Sequence, residues 1–335
     1  MHMADALISP VVGGTMWVAS LGVAAYSIKK IKDELDENKI PLMGVMGAFI
    51  FATQMINFSI PGTGSSGHLG GGLLLAILLG PYAGFITMFS ILTIQALFFA
   101  DGGLLALGCN VFNMGFFACF IAYPLIYKRI MIRGYSPKRI FIASMLCGIV
   151  GLQLGAFGVV LETLFSRKTE LPFNTFMLLM QPIHLAIGIV EGFVTTAIAT
   201  FVWKSRPEII ENDNLKSIST RKVVVSLIIA TIIVGGMLSW FASQNPDGLE
   251  WSMFKTSGVE ELQTSDDINN KLSDVQSKTA ILPDYNFKTT PNSDETYPNV
   301  SAGKSLSGII GSSMTLGLAI IIGFIISIIR KKKVS

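Results

Sequence analysis

Charge is scarce in this chain: charged residues make up 14% of its 335 residues against 51% hydrophobic ones, which excludes an ordinary soluble globular protein. Cysteine is scarcer still. Cys109, Cys119 and Cys147 all lie inside apolar stretches, so neither a disulfide framework nor a thiolate metal cluster is available. The formal net charge of +3 gives no support for a nucleic-acid partner. No Lys or Arg precedes Lys29, so the basic start of a cleavable signal peptide is missing. Nucleotide motifs are missing as well: Gly303-Lys304-Ser305 looks like the end of a phosphate-binding loop, but Pro298 stands where its first glycine would be. Ser65 and Ser66 lack a partner base, and the carboxylates show no paired hydrolase or calcium spacing. No ATPase, no other enzyme activity and no cofactor are therefore expected.

Long apolar runs are what the chain has in quantity. Stretches able to cross roughly 30 Å of hydrocarbon lie near 10–28, 40–58, 83–99, 106–127, 140–163, 177–203, 223–242 and 308–329. Residues 70–100 are continuously apolar, too long for one span and too short for two, and Gly80-Pro81 interrupts them. A short helix near 71–79, a break and a full span are predicted there. The expected fold is an all-α integral membrane protein, a seven-span bundle with one short, broken span, followed by a two-span hairpin.

Nine crossings place the termini on opposite sides. With the N-terminus extracytoplasmic and the C-terminus cytoplasmic, 18 of the 25 basic residues fall inside, as the rule for Lys and Arg requires. The one long polar connection, 243–307, holds ten acidic and five basic residues and is expected outside. Composition suggests a membrane unit at 1–203, a basic cytoplasmic linker at 204–222 and a two-span unit at 223–335. The expected location is the cell membrane, with lipid as a partner and no nucleic acid.

The chain has three histidines, His2, His68 and His184. An N-terminal Met-His offers one metal three nitrogens: the Met1 amine, the deprotonated His2 amide and the His2 imidazole. They close a five- and a six-membered chelate ring in one plane, an arrangement suited to Ni²⁺, Cu²⁺ or Co²⁺ before Zn²⁺ or Mg²⁺. His68 is the candidate for the open corner. It lies on the same predicted side, in the flexible loop Pro61-Gly-Thr-Gly-Ser-Ser-Gly-His68-Leu-Gly-Gly-Gly72. Taken alone, each feature has an ordinary explanation; their co-location argues for a metal site. That loop has no Lys or Arg to neutralise a phosphate. His184 and Glu191, one heptad apart on the seventh span, are an intramembrane pair that either packs the bundle or, in an alternative reading, serves a secondary transporter or channel for a divalent metal. Glu162 is expected at the outer interface, and Gln95, Asn110 and Asn113 as supporting polar groups or interhelical bonds. A metalloenzyme would need an acid or base beside the metal, and none is evident.

The opening Met1-His2-Met3-Ala4-Asp5-Ala6, the loop Gly62-Thr-Gly-Ser-Ser-Gly-His68-Leu-Gly-Gly and Ala100-Asp-Gly-Gly-Leu-Leu-Ala-Leu-Gly-Cys-Asn-Val-Phe-Asn-Met-Gly115 together resemble the CbiM/NikM family. These are the substrate-specific membrane components of energy-coupling factor transporters for cobalt and nickel. Asn245-Pro-Asp-Gly-Leu-Glu250 is similar to the PDGLE segment of the small CbiN/NikN-like partner, here in the same chain. The resemblance implies a planar four-nitrogen site made by Met1, His2 and His68, and Ni²⁺ or Co²⁺ as transported ligand. It also implies a transmembrane coupling protein and cytoplasmic ATPases as partners. At residues 4–6 many members read Pro-Asp-Gly where this chain reads Ala4-Asp5-Ala6, which alters no ligand. The loop looks more like the nickel type than the cobalt type.

Overall fold

The computed structural model describes residues 2–34, 39–168, 171–211, 221–258, 267–288 and 300–334. A 3₁₀ turn at Asp5–Leu7 leads into α1 (Pro10–Glu34). Next come α2 (Ile40–Gln54), a hairpin of β1 (Phe58–Ile60) and β2 (Ser65–Gly67), α3 (Gly72–Leu79) and α4 (Pro81–Phe99). The following helix starts as α5 (Leu107–Val111), widens to a π-helix at Phe112–Tyr127 around Pro124 and closes as α6 (Lys128–Met131). Two long helices, α7 (Pro137–Ser166) and α8 (Phe173–Ser205), precede the short α9 (Pro207–Glu211). The second unit contributes α10 (Arg221–Gly236), α11 (Gly248–Ser257), α12 (Asp267–Thr279) and α13 (Ala302–Val334).

Among the described residues six helices are long and apolar enough to cross a membrane: Pro10–Lys32, Pro81–Phe99, Leu107–Met131, Pro137–Ser166, Phe173–Ser205 and Ala302–Arg330. The sequence leads one to expect nine crossings, and the three remaining apolar stretches are also helical but shorter. α2 has 15 residues and α10 has 16, about 22–24 Å at the α-helical rise. α3 has eight residues, about 12 Å, and spans nothing alone. The reason lies in the preceding loop, which is buried from Ser65 onward except at Leu69, so the chain is already inside the bundle when α3 begins. Gly80, at φ +84°, makes the break before Pro81.

Helix packing relies on small residues, as expected where lipid removes the hydrophobic drive between helices. α7 and α8 meet at Gly148, Gly188 and Gly192; a Cβ on Gly188 would lie 2.8 Å from the Ile149 Cα. α10 and α13 meet at Gly235 and Gly308, where a Cβ on Gly308 would lie 2.3 Å from the Gly235 carbonyl oxygen. Both pack against α2, and Ser312 of α13 donates to the Ala48 carbonyl. Outward faces carry exposed apolar side chains such as Val11, Phe165, Leu178, Phe193 and Ile232, which suits contact with lipid.

Candidate metal centre

Three segments distant in sequence converge at one end of the bundle: the N-terminal residues, the β1–β2 hairpin with the loop after it, and the 100–106 turn. Met3 is held like a strand residue. Its N–H donates to Asn110 Oδ1 at 2.8 Å, and its carbonyl accepts from the Gly103 N–H at 2.8 Å and Asn110 Nδ2 at 3.2 Å. Asp5 accepts from the Ala106 N–H at 2.9 Å. Its carboxyl is raised by burial, against hydrogen bonds from the backbone of Ala106, Leu105 and Leu104. Gly102 lies under His2, where a Cβ would come 3.3 Å from the His2 Cβ and 2.8 Å from Asn110 Nδ2, so only glycine lets the backbone pass so close.

This clamp brings His2 against His68. Their rings stack with centroids 4.8 Å apart and planes 13° from parallel, and both side chains are nearly closed off from solvent. His2 Nδ1 faces Asp101 Oδ1 at 3.1 Å, and His2 Nε2 is buried with no hydrogen-bond partner. His68 Nδ1 contacts the Leu69 carbonyl at 3.0 Å. Burial, then neighbouring positive charge, pushes the His68 imidazole down to about 3, so it is held neutral and able to bind a metal. The Met1 amine assigned to the same ligand set lies outside the described residues. Among the described residues no group of three or more His, Cys, Asp and Glu side chains gathers as a metal cluster.

Two carboxylates flank the histidines, and this corrects the expectation that no acid stands beside the site. Burial alone would raise Asp101, but attraction and hydrogen bonding from His2, with a further hydrogen bond from the Tyr285 hydroxyl, hold it well below the usual carboxylate range. Asp247, in the segment Asn245-Pro-Asp-Gly-Leu-Glu250, likewise is raised by burial but held low by neighbouring positive charge and by the Glu250 N–H. It caps α11, accepting from the Leu249 and Glu250 N–H groups at 2.8 and 2.9 Å, while the Asp247 N–H donates to the Glu250 carboxylate at 3.0 Å. The same segment docks on the hairpin: the Ser66 N–H donates to the Pro246 carbonyl at 2.8 Å and the Ser66 hydroxyl to the Asn245 carbonyl at 2.7 Å. Neither aspartate was singled out from the sequence. Both lie in stretches that carry the family resemblance; the local signals were Gly102 and Gly103 beside Asp101 and an N-cap pattern, Asp-Gly-Leu-Glu, at Asp247.

His184 and Glu191 do not bond each other. Glu191 anchors the loop behind His68, accepting from the Gly70 N–H at 2.6 Å and the Gly71 N–H at 3.0 Å. Gln54 donates to the Gly70 carbonyl at 2.7 Å and accepts from Gln95 Nε2 at 3.0 Å, so buried side chains satisfy a loop that enters the bundle. His184 Nδ1 donates to the Met180 carbonyl at 2.8 Å, while its Nε2 is buried without a partner near Gly248. Glu162, expected at the interface, is instead buried and accepts from Asn113 Nδ2 at 2.7 Å, because a carboxylate beside an amide on a facing helix can be satisfied inside.

Residues 2–209 match the family described as the cobalt uptake substrate-specific transmembrane region, and residues 221–328 match the PDGLE domain. A candidate fused nickel transport protein, NikMN, of Archaeoglobus fulgidus is 32% identical over 95% of this chain and 96% of its own. The cobalt transport protein CbiM of Clostridium tetani is 30% identical over 63% of this chain and 88% of its own. The crystal structure of a truncated transition metal transporter matches with a TM-score of 0.55 and 32% identity, over 61% of this chain and 99% of that one. The chain therefore belongs to the CbiM family of cobalt-uptake substrate-specific transmembrane proteins and carries a PDGLE domain in the same polypeptide.

Proposed function

We propose that this protein is the substrate-capture component of an ATP-dependent energy-coupling factor importer for Ni²⁺ or Co²⁺. It takes the ion in a planar set of four nitrogens: the Met1 amine, the His2 amide and imidazole, and the His68 imidazole. The observation that carries this reading is the 4.8 Å stacking of two imidazoles whose residues lie 66 positions apart, with Asp101 beside them. Nitrogen ligands in one plane favour metals that displace an amide proton. Such a complex keeps part of the dication's charge, and the Asp101 and Asp247 carboxylates offset it in a buried setting. Asp101 Oδ1 lies against His2 Nδ1, the atom that would close the six-membered ring, so a metal taken there would replace that hydrogen bond.

The ion enters from the extracytoplasmic side, where the N-terminus, the hairpin and the PDGLE segment lie. Lys29, Arg133, Lys204, Arg221 and Arg330, at or beside the opposite ends of the helices, support this orientation. Release inward is driven by a transmembrane coupling protein and cytoplasmic ATPases, since this chain lacks a complete nucleotide loop. Ni²⁺ calorimetry on His68→Ala tests the ligand set: tight binding is expected to disappear, and its retention would remove His68 from the site.

A further inference from the structure

One side chain of the second unit, Tyr285, reaches the proposed ligand His2 through Asp101. Tyr285 follows α12 and stacks on Phe99 with ring centroids 5.1 Å apart and planes 21° from parallel, while Phe51 stands edge-on at 6.1 Å. Its hydroxyl donates a short hydrogen bond to Asp101 Oδ2, and Asp101 presents its other oxygen, Oδ1, to His2 Nδ1 at 3.1 Å. The surrounding segment grips the same turn independently. Gln276 Nε2 donates to the Gly102 carbonyl at 2.7 Å and the Ala96 carbonyl at 2.9 Å, the Ile281 N–H donates to the Phe98 carbonyl at 3.0 Å, and Asn269 Nδ2 reaches the Asp5 carbonyl at 3.1 Å.

We propose that Tyr285 is a positioning residue of the capture site, aiming the Asp101 carboxylate at His2 from a segment of the second unit. The inference rests on the Met1, His2 and His68 reading above and adds to it a residue that touches no ligand atom. A carboxylate free to rotate would not hold one oxygen on the histidine. Fixed by the hydroxyl, it keeps one oxygen on the histidine and its charge beside an incoming dication. That attraction outlasts the hydrogen bond given up when His2 takes the metal, because charge acts over a longer range than a hydrogen bond in a buried setting.

Tyr285→Phe isolates the hydroxyl, since the phenyl ring retains the stack on Phe99 and Phe51. The experiment is Ni²⁺ calorimetry on the full chain, unaltered and as Tyr285→Phe, Asp101→Asn, the double variant and His68→Ala. Tyr285→Phe should weaken binding three- to tenfold and Asp101→Asn more. The double variant should match Asp101→Asn alone, because the proposed effect of the hydroxyl on the metal runs through that carboxylate. The visible absorption of planar Ni²⁺ should be the same in Tyr285→Phe as in the unaltered chain, as no ligand changes. Unchanged affinity in Tyr285→Phe, or a second loss of the same size on the Asp101→Asn background, would overturn the proposal. Tight binding by His68→Ala would instead overturn the ligand set, so the two failures read differently.

Discussion

At the residue scale the site is organised by two buried imidazoles with different jobs. His68 is held neutral by burial, so protons do not compete for it until the pH approaches 3. In the proposed site the competition comes from the N-terminal chelate. An amide proton is released on binding at every pH, and an amine that is protonated in the free chain releases another. Affinity should therefore fall as pH falls, by at least about tenfold per unit between pH 8 and 6. Calorimetry in buffers of different ionisation enthalpy measures the protons released; release of fewer than one per ion at pH 8 would contradict an amide ligand. His184 is buried with its Nε2 unpartnered, next to Gly248. His184→Ala should leave Ni²⁺ affinity within a few-fold of the unaltered chain, and metal loss with the thermal transition preserved would make His184 a ligand. The pairing of His2 with His68 was legible in the sequence because so few histidines compete for the role. The parts played by Asp101 and Tyr285 were not, since they depend on contacts spanning 99 and 184 positions, and a single Asp or Tyr carries no periodicity.

At the scale of elements, the loop carrying His68 is the unusual part, an irregular segment inside an apolar bundle. Its backbone groups must be satisfied internally, and Glu191 on α8 and Gln54 on α2 supply the partners. Glu191→Gln would turn one acceptor into a donor facing a buried N–H, a cost of about 1–3 kcal/mol. The loop would loosen, and Ni²⁺ affinity should fall about tenfold together with a lower thermal transition; binding and melting both unchanged would deny Glu191 its anchoring role. The break at Gly80-Pro81 and the short helix before it were readable from local chemistry, because Pro and Gly act on the backbone itself. That α3 starts already inside the bundle was not readable, because the depth of a loop follows from which distant side chains receive it.

At the scale of the whole molecule, the N-terminal segment bonds both the CbiM-family bundle, through Asn110 and Gly103, and the PDGLE unit, through Asn269. The orientation can be checked directly. Cysteine placed at Ser243 should react with a membrane-impermeant thiol reagent added to intact cells, and cysteine at Lys204 should not; the reverse pattern would invert the proposed orientation. Uptake of Ni²⁺ should require co-expressed coupling and ATPase subunits, and uptake by this chain alone would favour a secondary transporter. The most direct test of the central claim is Ni²⁺ affinity with the native N-terminus compared with a chain carrying one extra residue before Met1. The addition moves the amine out of the chelate while every side chain stays in place. The account predicts that tight binding collapses, whereas unchanged affinity would contradict an N-terminal metal site.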